Sequence, residues 1–186
     1  MGMGMDFIFV HINKTAGSSI EEALGLRFRH RTAGDIISEI GIAAWRKNFT
    51  FAVVRNPWDK VLSHYSYRID TNQTGLGNGK IGFAEWVRES YGRRNPLFYD
   101  KPMMFMPQMD WISDAEGRIL VNFVARFENL QPDFETICAR IGRAPVPLPH
   151  RKKSRHGDYR GYYDAESKRI VADWFHRDIE RFNYGF

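Results

Sequence analysis

Continuous apolar runs alternate with amphipathic stretches in the first third of the chain. Phe7-Ile8-Phe9-Val10 is apolar at every position, as in a strand covered on both faces of a parallel sheet. Asn13 to Gly17 reads as a turn, and Ser18 to Leu24 opens a helix, with Ser18 and Glu21 spaced as a capping box. A further helix is predicted over about Ala33 to Lys47. A second β-rich run, Phe49 to Val54, ends at Arg55-Asn56-Pro57. Asn56 suits an N-cap and Pro57 the first helical position, so a helix should follow to about Ile69. Strand, turn and capped helix therefore occur twice. This predicts an α/β, three-layer, P-loop-like fold whose central, mainly parallel sheet is flanked by helices.

Later segments are less regular. Residues 70–82 are rich in Gly, Asn and Thr and read as a loop, Phe83 to Tyr91 as a short helix, and the Pro- and Met-containing stretch from Asn95 to Pro107 as irregular. A third strand is expected over Ile119 to Ala125, then helices over about Leu130 to Ile141 and Ala165 to Phe175. Asp178 to Phe182 should form a further turn. With no repeats or low-complexity tracts, residues 1–186 read as a single domain.

Composition narrows the chemistry. The chain is 43% apolar and 15% aromatic, enough for a core, and its formal charge of +5 favours anionic ligands. No apolar run reaches the roughly 18 residues of a membrane span, and Met1 to Asp6 resembles neither a signal peptide nor a myristoylation site. The single cysteine, Cys138, falls among Phe134, Ile137 and Ile141 and reads as core. These features together suggest a cytoplasmic protein.

Two segments carry candidate chemistry. In His11-Ile12-Asn13-Lys14-Thr15-Ala16-Gly17-Ser18-Ser19, a turn enters a helix whose first amides point outward into the positive end of the dipole. Gly17 permits close approach, Lys14 supplies charge, and Thr15, Ser18 and Ser19 supply hydroxyls. That suits a phosphate or sulfate, although a capped helix with a solvated lysine fits equally well, and no Walker A spacing exists. In the second segment Arg55 ends an inner strand before a helix N-terminus, and Ser63 follows two turns into that helix. Taken alone, it could be an ordinary strand and helix.

Together the two segments resemble the sulfotransferases that use 3'-phosphoadenosine 5'-phosphosulfate (PAPS), especially the small group related to carbohydrate sulfotransferases such as heparan sulfate 2-O-sulfotransferase. His11 to Ser19 is similar to that family's 5'-phosphosulfate loop, and Phe51 to Tyr65 to its 3'-phosphate strand and helix. Arg126 to Leu130, Leu148 to Ser154, Tyr159 to Tyr163 and Asp178 to Tyr184 extend the likeness. The resemblance implies sulfuryl transfer from PAPS to a hydroxyl or amine acceptor, leaving 3'-phosphoadenosine 5'-phosphate (PAP). It implies that Lys14 steadies charge on the leaving oxygen, that Thr15, Ala16, Gly17, Ser18 and Ser19 complete the cradle, and that Arg55 and Ser63 hold the 3'-phosphate. Lys153-Ser154-Arg155 would close over the nucleotide, unless it is a solvated basic loop. Ala16 departs from the glycine that relatives often carry.

A general base must take the acceptor's proton. His30 occupies the stretch where the related enzymes carry a catalytic histidine, and Arg29 and Arg31 favour its neutral form; the alternative is a surface histidine. His11 at the strand end reads as a hydrogen-bonded core residue. His64, His150, His156 and His176 have no comparable positional argument. Gln108 resembles a position near the acceptor, and Asp70 to Pro107 is expected to govern acceptor choice. No histidine pair has a metal-ligand spacing, and no metal is expected. The remaining readings are a P-loop small-molecule kinase, a nucleotide binder without turnover and a nucleic-acid module. The last is disfavoured because positive charge gathers at the predicted phosphate loops.

Overall fold

Phe49–Val54 (β2) is the centre of the sheet because all six of its residues are buried, so both of its faces are covered. Phe7–Val10 (β1) pairs with it in parallel, from Phe7 opposite Phe49 to Val10 opposite Ala52. Phe123–Arg126 (β3) pairs in parallel on the other side, from Phe51 opposite Phe123 to Val54 opposite Arg126. The order is β1-β2-β3. These relations come from a computed structural model that describes residues 6–79, 81–149 and 157–186. The fold is α/β, with a parallel three-stranded sheet flanked by helices.

The described chain divides into two compact units, residues 6–55 with 108–149 and residues 56–107 with 157–186. The first holds the sheet. Ile20 and Leu24 of Gly17–Leu24 (α1) and Phe134, Ile137, Cys138 and Ile141 of Leu130–Ile141 (α8) share one core with Phe49, Phe51, Val53 and Ala125. Cys138 is therefore a core residue, and burial raises its thiol pKa. Ala33–Ile40 (α2) and Ile42–Lys47 (α3) replace the single helix expected there. Gly41 separates them at φ 83° and ψ 151°, a conformation that only glycine adopts readily. Thr32 and Asp35 form a reciprocal capping box at the start of α2.

The second unit begins with Pro57–Asp70 (α4). Asn56 accepts from the Trp58 amide and Pro57 opens the helix, as the sequence predicts. Phe83–Val87 (α5), Pro102–Phe105 (α6), Ala165–Trp174 (α9) and His176–Phe182 (α10) complete it. Its core joins Trp58, Val61 and Leu62 to Trp86, Tyr91, Phe105, Val171 and Phe175. Indole donors find backbone acceptors, Trp58 at Lys168 and Trp174 at Phe105.

Several local expectations shift. β1 is an edge strand, three of its four residues only partly buried, because a continuous apolar run does not distinguish edge from centre. The stretch 73–78 takes a 3-10 conformation inside the expected loop, 88–92 forms a π-turn after α5, and α10 replaces the expected turn. β3 starts at Phe123 because Ile119 bridges back to Ser113 and Asn122 is occupied as a clamp. The Asn122 carboxamide oxygen accepts from the Thr50 amide at 2.8 Å and its hydroxyl at 2.9 Å, and the Asn122 amide donates to the Thr50 carbonyl. Asn122→Ala leaves the Thr50 donors without this acceptor, so chemical denaturation should show a loss of about 1–3 kcal/mol.

Candidate active site

The first turn of α1 is built on strain and close packing. Ala16, its N-cap, adopts φ 67° and ψ 16°, and Lys14 adopts φ 65°. Left-handed backbone in non-glycine residues costs roughly 1–2 kcal/mol each. The expected Ser18–Glu21 box is absent: Ala16 is the cap and no side chain caps the turn. Among the described residues, the amides of Gly17 and Ser18 meet no acceptor, whereas those of Ser19 and Ile20 return to the Ala16 carbonyl. Donors left without an acceptor at a helix N-terminus suit the binding of an anion. The Thr15 hydroxyl is buried and donates to the Ile12 carbonyl at 2.8 Å, so it ties the turn together. Ser19 is buried and Ser18 half-buried.

Glu21 serves the strand instead of the cap. Its carboxylate lies 2.8 Å from His11 Nδ1 and also accepts from the Arg29 amide at 3.3 Å. Burial is the main cause that raises the Glu21 pKa, opposed by the Arg29 amide. The other edge of the His11 ring meets Gly17 so closely that a Cβ there would lie 2.0 Å from the imidazole. A side chain at 17 would therefore displace His11. His11 is thus a hydrogen-bonded core residue, as the sequence predicts.

The same strand end positions His30. Its Nδ1 lies 3.0 Å from the His11 carbonyl oxygen. A carbonyl only accepts, so Nδ1 carries the proton, and in the neutral ring the lone pair is on Nε2. His30 is half-buried, 4.3 Å from the His11 ring centroid and 6.0 Å from that of Trp111 in Gln108–Ile112 (α7). Arg31 pairs with Glu39 in α2.

Arg55 follows β2 and is buried. Its guanidinium donates to the Lys14 carbonyl at 3.2 Å and lies 3.9 Å over the Phe127 ring. Its backbone is held by Gln108, whose carboxamide oxygen accepts from the Arg55 amide at 2.8 Å and whose nitrogen donates to the Arg55 carbonyl at 2.9 Å. Gln108 is fully buried in this clamp. The partners are 53 residues apart and no local pattern links them. Lys14, Ala16, Gly17, His30 and Arg55 thus gather in the first unit. Ser63 is buried on α4 in the second, and Lys153, Ser154 and Arg155 lie outside the described residues.

A model of the sulfotransferase family matches residues 5–185. The chain belongs to that family. An uncharacterized protein of Archaeoglobus fulgidus is 27% identical over 111 residues, covering 58% of this sulfotransferase and 78% of that protein. The crystal structure of a sulfotransferase from Alicyclobacillus acidocaldarius superposes with a TM-score of 0.47 and 15% identity, over 99% of this chain and 100% of that one. Family membership supports sulfuryl transfer as the general activity. Among the described residues, no helix is long and apolar enough to cross a membrane.

Two outcomes follow from the site's construction. Gln108→Leu removes both of these bonds to the Arg55 backbone, so the folding free energy should fall by about 2–4 kcal/mol. Glu21 has its pKa raised in the folded chain, so its protonation favours folding below the ordinary value of 4.5. That contribution declines as pH climbs from there through the raised folded value. In Glu21→Gln the decline is removed, and the melting temperature of the variant relative to the parent should rise between pH 4.5 and 7. A difference that stays flat would contradict the burial of an ionisable carboxyl.

Proposed function

We propose that this sulfotransferase moves the sulfuryl group of PAPS to an acceptor hydroxyl, of a saccharide or small metabolite, with PAP as the other product. The observation that carries the reading is the 3.2 Å bond from the Arg55 guanidinium to the Lys14 carbonyl, which holds the ends of β1 and β2 side by side. A donor with phosphate groups at both ends of its nucleoside needs cationic groups at two such points. The residues present fit that donor. Among the described residues the Gly17 and Ser18 amides at the α1 N-terminus meet no acceptor, and Lys14 sits in the same turn.

In the proposed reaction the acceptor oxygen forms a bond to sulfur as the bond from sulfur to the phosphate oxygen breaks. Lys14 and the turn amides steady the charge that develops on the departing phosphate. The acceptor proton passes to His30 Nε2, while Nδ1–H stays anchored on the His11 carbonyl. Arg55 holds the 3'-phosphate. Thr15 and Ala16 contribute through the shape of the turn, and Ser18 and Ser19 through the start of α1. The resemblance adds Ser63 to the 3'-phosphate contacts and Lys153, Ser154 and Arg155 as a nucleotide cover. We further propose that residues 1–186 act as one sulfotransferase domain, in the cytoplasm.

Incubation with sulfur-labelled PAPS and a hydroxyl-acceptor library, read by mass, tests the reading directly. His30→Ala should cut turnover by about 10²–10⁴-fold and leave PAP affinity nearly intact. Lys14→Ala should nearly abolish transfer, and Arg55→Ala should weaken PAP binding by about 1.5–3 kcal/mol in calorimetry. Binding of ATP with Mg²⁺ together with indifference to PAP would replace this reading with a kinase.

A further inference from the structure

The segment joining α1 to α2 exposes a large apolar ring beside the histidine proposed as base. Phe28 is 60% exposed, and its ring stands edge-on to His11 at 5.1 Å and to His30 at 4.7 Å between centroids. A lone exposed aromatic is ordinary on a protein surface. Phe28 is not alone, because His11, His30 and Trp111 continue the array of rings inward, and Trp111 is fully buried behind His30.

The backbone that carries the ring is also held in place. Gly25 ends α1 at φ 67°, the Leu26 amide returns to the Glu21 carbonyl at 2.8 Å, and the Arg29 amide donates to the Glu21 carboxylate. The backbone on both sides of Phe28 is thus tied to one residue of α1. A ring on a fixed backbone loses less freedom when another ring is laid against it, which is how a pre-organised aromatic contributes selectivity. Trp111 cannot serve in this way, since none of its surface is open.

We propose that Phe28 is the acceptor platform of this enzyme. The acceptor would be a ring with an apolar face that bears the reacting hydroxyl, laid against Phe28 so that the hydroxyl meets His30. This rests on the sulfuryl-transfer reading for the role of His30, but not for binding of the ring. An aryl hydroxyl and a pyranose both offer such a face.

Saturation-transfer NMR on the full chain without donor tests the binding, using 2-naphthol, methyl β-glucopyranoside and 1-pentanol as probes. The parent should saturate at least one ring compound, and the ring that binds tells aryl from saccharide. Phe28→Ala should lose that signal and Phe28→Trp should keep it, while 1-pentanol is unchanged across the three. With labelled PAPS, Phe28→Ala should raise the KM of the ring acceptor by about 5–10-fold, with kcat within about twofold and PAP affinity unaltered. Phe28→Leu, which keeps apolar bulk, serves should the alanine variant melt early. The proposal is overturned if no ring compound binds the parent, if Phe28→Ala binds rings as the parent does, or if 1-pentanol is lost equally. Ring binding that depends on Phe28 without any transfer from PAPS would sink the sulfuryl-transfer reading and leave the platform standing.

Discussion

Parallel pairing of β1 with β2 makes both chains leave the sheet at the same edge. In an antiparallel pair the turn after Val10 and the turn after Val54 would lie at opposite ends. Here the register from Phe7–Phe49 to Val10–Ala52 brings Lys14 and Arg55 close enough for the bond between guanidinium and carbonyl. β3 extends the same arrangement, for Arg126 stands opposite Val54 and Phe127, directly after it, lies under the Arg55 guanidinium. A buried cation held on a backbone carbonyl and an aromatic face keeps a fixed position, and Gln108 fixes the backbone that carries it. The three strands therefore act on one side chain.

His11 connects three features that would otherwise be independent. Its ring fills the space where a side chain on Gly17 would stand, its Nδ1 meets Glu21, and its carbonyl sets the tautomer of His30. The proposed anion turn and the proposed base thus share one support. Glu21 carries two of the ties, to the His11 ring and to the Arg29 amide. This explains why a carboxylate is kept in a buried place that disfavours its ionisation.

Much of the fold was legible because its signals are local. The apolar run of β2, the Asn56–Pro57 cap and the helix Leu130–Ile141 each depend on neighbours within a few residues. What was not legible depends on distance along the chain or on backbone conformation. Ser18 and Glu21 have the spacing of a capping box, but His11 competes for the carboxylate across 10 residues and prevails. Gly41 is visible in the sequence, yet only its φ and ψ show that it ends α2 instead of sitting within a longer helix. Gln108 offers no pattern at all, since its partner is the backbone of residue 55. Lys14 and Arg55 stand out by their places at two strand ends and His30 by family likeness, and their gathering in one unit follows from strand order, which residue spacing does not contain.

The turn itself shows what an alanine at position 16 does. Glycine would adopt φ 67° without penalty, whereas alanine stores roughly 1–2 kcal/mol there, and Lys14 stores a similar amount two residues earlier. Such strain persists only where the surroundings over-determine the backbone. The buried Thr15 hydroxyl, held on the Ile12 carbonyl between the two strained residues, is one restraint, and the Ala16 carbonyl receiving the Ser19 and Ile20 amides is another. A glycine at 16 would let the turn sample more backbone conformations. Alanine narrows that choice at a cost in stability. A narrowed turn suits the proposed anion site, because its amides would be restrained before the anion arrives.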